Sequence, residues 1–86
     1  MTKVKLEAIT TKFGCAKCER AMQIINKVVK NYKGKVKVIE TDITKNPDKL
    51  ITFGIMMTPA IILNGKLVFE GTPSEKELDK KIKEAL

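Results

Sequence analysis

The sequence predicts an α/β fold with the element order βαβαββα, a four-stranded mixed sheet with helices on both faces. Three observations point there. Short stretches with an apolar period of two alternate with longer ones of period three to four, as strands alternate with helices. The run PAIIL (59–63) is apolar at every position, and Asn64-Gly65 follows it and leads into a second short apolar run. A continuously apolar strand is one buried on both faces, which requires cover above and below the sheet. Asn-Gly between two strands is the dipeptide of a two-residue hairpin.

Each element follows from its own pattern. Val4, Leu6 and Ala8 alternate with Lys5 and Glu7, predicting a first strand over about 3–9. From Cys18 onward Ala21, Met22, Ile25, Val28, Val29 and Tyr32 recur at three and four residues, so a helix is expected from about Cys15 to Asn31, ended by Gly34. KVKVIE (35–40) reads as the second strand. In TKNPDKLITFG (44–54) Asn46 is the expected N-cap, Pro47 the first helical residue and Gly54 the stop of a short helix. PAIIL and LVF (67–69) form the hairpin, and Ser74 with Glu77 makes a capping box before Leu78, Ile82 and Ala85 of a final amphipathic helix. Two strands joined through a helix run parallel by a right-handed crossover. Lys5 and Glu7 would be costly on a fully covered face, so the short middle helix is expected to cover its side of the sheet only partly.

At 86 residues the chain has room for one domain, 1–86, with a modest core. Hydrophobic residues at 43% and charged residues at 31% give a globular balance. The longest apolar stretch is far too short to cross a bilayer, and the N-terminus offers no signal-peptide core, so a cytoplasmic protein is expected. The net charge is +7, but the lysines are scattered and only one Tyr and three Phe are available for base stacking. Nucleic acid and membrane are therefore not expected partners; the charge reads as a solvated surface that favours acidic proteins.

The chemistry lies in FGCAKC (13–18), which holds both cysteines of a chain without histidine. Cys15 falls where the first strand gives way to the first helix, and Cys18 one turn later. The unpaired N–H groups of a helix start favour a thiolate at Cys15, and Lys12, Lys17 and Arg20 lie close enough in sequence to add to that. Cys18 belongs to the apolar stripe and is expected to be buried. A purely structural bridge would close so short a loop that it restricts the unfolded chain by only about 2 kcal/mol. Two thiolates at this spacing suit either dithiol-disulfide exchange or a soft ion such as Cu(I) or Zn(II), and the spacing alone leaves both open. A second signal is Pro59, at the mouth of a strand that must run close to the first helix.

Together, the element order, GCAKC, MMTPA (56–60) and Gly71 resemble the minimal thioredoxin fold over essentially the whole chain. The nearest resemblance is to the small redox-active disulfide proteins of archaea and bacteria, thioredoxin-like or glutaredoxin-like. That resemblance implies a dithiol-disulfide oxidoreductase in which Cys15 attacks and Cys18 resolves. It also implies a cis Thr58-Pro59 bond facing the cysteines, a Thr58 backbone that pairs with substrate, and Met57, Met56 and Gly71 beside the groove. Partners would be disulfide-containing proteins and an upstream reductase, the protein would be a monomer, and no cofactor would be bound beyond the redox-active pair itself. A soft-metal carrier and a redox-sensing binding module are the alternatives. The sequence departs from larger thioredoxins in having Phe13-Gly14 before the first cysteine and Ala16-Lys17 between the two. Their buried acid falls here on Ile9, so proton transfer at Cys18 would need water or another group. Gly71-Thr72 stands where glutaredoxins often carry paired glycines and an acid that help hold glutathione.

Overall fold

The computed structural model describes residues 3–11 and 16–86. Strands β1 (Val4–Thr10), β2 (Val36–Asp42), β3 (Ala60–Leu63) and β4 (Lys66–Glu70) form one sheet in the order β2-β1-β3-β4. The helices are α1 (Ala16–Val29), α2 (Asp48–Phe53) and α3 (Glu75–Ala85). β1 pairs parallel with β2 from Val4↔Val36 to Thr10↔Asp42, and antiparallel with β3 from Leu6↔Leu63 to Ile9↔Ala60. The fold class is the expected one.

Alternation along the strands sorts the core into two layers. Val4, Leu6, Ala8, Ile61 and Leu63 pack with Ile25 and Val28 of α1 and Leu78 and Ile82 of α3. On the opposite face Ile9, Ala60 and Ile62 pack with Ile43 and Ile55, and Phe53 of α2 adds a partly buried ring. All four residues of β3 are buried, as a strand between two helical layers requires. Tyr32, just past α1, donates a 2.6 Å hydrogen bond to Asp79 of α3. That bond, which holds the phenol proton in place, pushes the Tyr32 pKa up to about 12.

Several boundaries differ from the periodicity. β2 runs two residues past KVKVIE, because Thr41 and Asp42 continue the ladder opposite Ile9 and Thr10. α1 tightens into a 3-10 turn over Lys30–Tyr32, and Gly34 takes φ +81 in the turn that follows. Asn46 is not the N-cap of α2. Pro47 holds that position without a side-chain cap, while the Asn46 amide donates to the Asp42 carbonyl (3.1 Å) and so closes the turn leaving β2. β4 extends LVF by a residue at each end, with a register shift at Ile61/Ile62 that sets Ile61 opposite Phe69 and Ile62 opposite Leu67. The Asn64-Gly65 hairpin has φ +50 and +82, the pair of positive values a type I′ turn demands. Ser74 caps α3 by accepting from the Glu77 N–H at 3.1 Å.

The charged residues of β1 follow the partial cover expected of α2. Lys5 is exposed. Glu7, with only 12% of its side chain exposed, accepts from Thr41 Oγ1 at 2.6 Å and from Lys49 Nζ of α2 at 3.0 Å. Burial by itself would raise its pKa, but these two hydrogen bonds and the charges of Lys49 and Lys5 outweigh it and hold the carboxyl below its ordinary value.

Candidate functional site

The site is assembled where three segments meet at one end of the sheet: the first turn of α1, the approach to β3, and the turn after β4. Cys18 lies on the buried stripe of α1 with Ala21, Ile25 and Val28, and is 4% exposed. Its Sγ lies 3.8 Å from Oγ1 of Thr11, the residue that follows β1. Cys15 and Lys12 lie outside the described residues. Lys17 is exposed, and its carbonyl accepts from Thr72 Oγ1 at 3.4 Å, which ties the start of α1 to the turn after β4.

The approach to β3 is held from the other side. Pro59 is fully buried, its peptide bond to Thr58 is cis, and its carbonyl accepts from the Gly71 N–H at 2.6 Å. Gly71 has φ +96, a conformation costly for any residue with a Cβ, so a glycine is required there by the backbone. Just upstream, the Met56 N–H donates to the Glu70 carboxylate at 2.9 Å. Met56 is 91% and Met57 48% exposed, so neither fills the core. Ile51 of α2 is exposed as well, at 86%.

Ile9 is fully buried in the second core layer, an apolar side chain with nothing to offer in proton transfer. Its neighbour Thr10 is buried too, and its hydroxyl donates to Glu40 at 3.1 Å. A groove of about 600 Å³ between α1 and the start of α3 is lined on the helical side by Lys17, Arg20 and Lys27, and bridged by a Lys27–Glu75 ion pair of 3.0 Å. Among the described residues no cluster of three or more His, Cys, Asp or Glu is arranged to hold a metal ion. Among the same residues no helix is long and apolar enough to cross a membrane.

Thr11 and Glu70 escaped the reading of the sequence, and Thr72 is marked there only as a departure from the glutaredoxin pattern, not for its bond to α1. Each acts on a residue seven to 55 positions away, and a lone threonine outside a strand or helix, or a glutamate at the end of a strand, carries no periodic signal of such a contact.

The family model for the thioredoxin domain matches residues 3–83. The chain belongs to the thioredoxin-domain family. It is 34% identical over 86 residues to the thioredoxin of Methanocaldococcus jannaschii, covering all of both chains. It is 35% identical over 75 residues to a probable thioredoxin of Methanothermobacter marburgensis, covering 87% of each. Among solved structures, malaria-parasite thioredoxin-2 superposes with a TM-score of 0.81 at 23% identity, over 95% of this chain and 82% of that one. Chloroplastic thioredoxin z superposes with a TM-score of 0.80 at 18% identity, over 96% and 78%. These likenesses place the four-stranded sheet and its helices in the same fold as those proteins.

Proposed function

We propose that this thioredoxin-domain chain is a dithiol-disulfide oxidoreductase that reduces disulfides of partner proteins. The observation that supports the reading is a cysteine, Cys18, buried in the first turn of α1 of a thioredoxin-domain chain, next to Lys17, whose carbonyl is tied to Thr72 of the turn after β4. Cys15, the residue nearer the helix start, attacks the partner's disulfide as a thiolate and forms a mixed disulfide. Cys18 then displaces the partner's sulfur from Cys15. The partner leaves reduced, and the oxidised Cys15–Cys18 pair is recharged by an upstream reductase. The two sulfurs carry the electrons, so no bound cofactor is called for.

The exposed Met56 and Met57, with the Thr58 backbone, form the surface on which an extended substrate segment lies. Lys17, two residues after Cys15 in the sequence, adds positive charge at the helix start, and the net charge of +7 draws acidic partners. The protein acts as a cytoplasmic monomer. Relatives named thioredoxin favour this redox chemistry over a soft-metal carrier built on the same two sulfurs.

Order of attack tests the reading. Cys18→Ser keeps the nucleophile and removes the resolving thiol, so Cys15 accumulates as a mixed disulfide with cellular proteins, seen as slow-migrating bands that collapse on adding dithiothreitol. Cys15→Ser traps almost nothing. Equal trapping by both variants, or no trapping together with no reductase activity, overturns the proposal.

A further inference from the structure

The resolving sulfur has a chemical problem that its position creates. Cys18 is 4% exposed within an apolar stripe, and burial of this kind disfavours a thiolate, yet only the thiolate can attack. The side chain that would be aligned to help with its proton, Ile9, is buried hydrocarbon. Thr10 next to it has committed its hydroxyl to Glu40.

Thr11 is placed differently. Its Oγ1 is 3.8 Å from Cys18 Sγ, within hydrogen-bonding reach of a sulfur, and it is half-buried at the point where the chain leaves β1. In the structure Cys18 is disulfide-bonded, so its sulfur carries no proton and can only accept from the Thr11 hydroxyl. Toward the thiolate of the reduced protein the hydroxyl can likewise only donate, and a donor favours the charged form. We propose that the Thr11 hydroxyl stabilises the Cys18 thiolate during resolution and so takes the part of a catalytic residue in this chain.

The inference rests on the dithiol reading above. The Cys18 thiol releases its proton to solvent, and the thiolate, holding the Thr11 hydrogen bond, attacks Cys15 Sγ. The bond between Cys15 and the partner's sulfur breaks as the Cys15–Cys18 bond forms. The partner's sulfur leaves with the electron pair and takes up a proton from water. Two electrons have then passed from the dithiol to the partner, and Thr11 is unchanged.

A chromogenic aromatic disulfide mixed at one equivalent with the reduced protein separates the two attacks by stopped-flow absorbance. The first coloured thiolate is released in a phase whose rate depends on reagent concentration, and reports Cys15. The second is released in a phase independent of concentration, and reports Cys18. Thr11→Val keeps the shape but loses the donor. It slows the second phase on the order of tenfold, as expected for loss of a hydrogen bond to a charged group, and leaves the first phase unchanged. Thr11→Ser restores the second phase, and thermal melts show both variants folded. A second phase within twofold of wild type in Thr11→Val, equal slowing of both phases, or no recovery with serine overturns the role of Thr11 while leaving the dithiol reading intact. Release of no coloured thiolate by the wild-type protein overturns both.

Discussion

Replacing Glu7 with glutamine tests how a short helix is held over a charged strand. Glu7 is 12% exposed, accepts from Thr41 Oγ1 at 2.6 Å and pairs at 3.0 Å with Lys49, itself 32% exposed. Glutamine keeps the shape and an acceptor for Thr41, so what is lost is the charge and its bond to Lys49. Hydrogen bonds to charged groups contribute about 1.5–3 kcal/mol, and solvent screening of the Lys49 ammonium lowers the expected loss to about 1–2 kcal/mol. In a domain of this size that is a fall in Tm of about 5–15 °C. The sign with pH follows from the carboxyl lying below its ordinary value of 4.5. A depressed carboxylate stabilises the fold above its unfolded pKa and loses that contribution as pH falls through the folded one. Urea melts of wild type and Glu7→Gln should therefore differ at neutral pH and converge well below the ordinary carboxylate range. A Lys49→Met variant should show most of the same loss, and the double variant less than the sum of the two. A difference that persists unchanged into acid, or strict additivity, would refute the argument.

Other outcomes follow from the site. Gly71→Ala meets nothing within 4 Å at its new Cβ, so its cost is that of backbone strain at φ +96, about 1–2 kcal/mol by chemical denaturation; no loss would show that the turn relaxes freely. Because the Gly71 N–H binds the Pro59 carbonyl, the same variant should lower kcat/KM for a protein disulfide by more than its stability loss accounts for. Changing Met56 and Met57 together to glutamine should shift Tm by no more than about 4–8 °C, since two surface changes near ±0.5 kcal/mol each sum to about 1 kcal/mol at most, but raise KM in an insulin-reduction assay. Leu78→Ala, at a fully buried position under α3, should cost about 2–5 kcal/mol in urea melts, and a value below 1 would mean that the first core layer is looser than its packing.

The sequence by itself determined the element order, the hairpin, the N-cap of the last helix and the burial of Cys18. These rest on signals carried within a few residues: Asn64-Gly65 needs positive φ at both positions, Ser74 needs only the N–H of Glu77, and the stripe from Cys18 to Val28 follows from 3.6 residues per turn. It also foresaw that α2 would leave the charges of β1 partly uncovered, because Lys5 and Glu7 could not be buried without partners. Tertiary structure alone decided which partners arrived. Lys49 reaches Glu7 across 42 positions, Thr72 reaches Lys17 across 55, and the Asn46 side chain turns back to β2 instead of capping α2. The same holds at the site, where Thr11 meets Cys18 only because β1 ends beneath the start of α1. Local propensity is a property of neighbours in the chain, whereas a hydrogen bond between distant side chains exists only once the sheet has set the elements side by side.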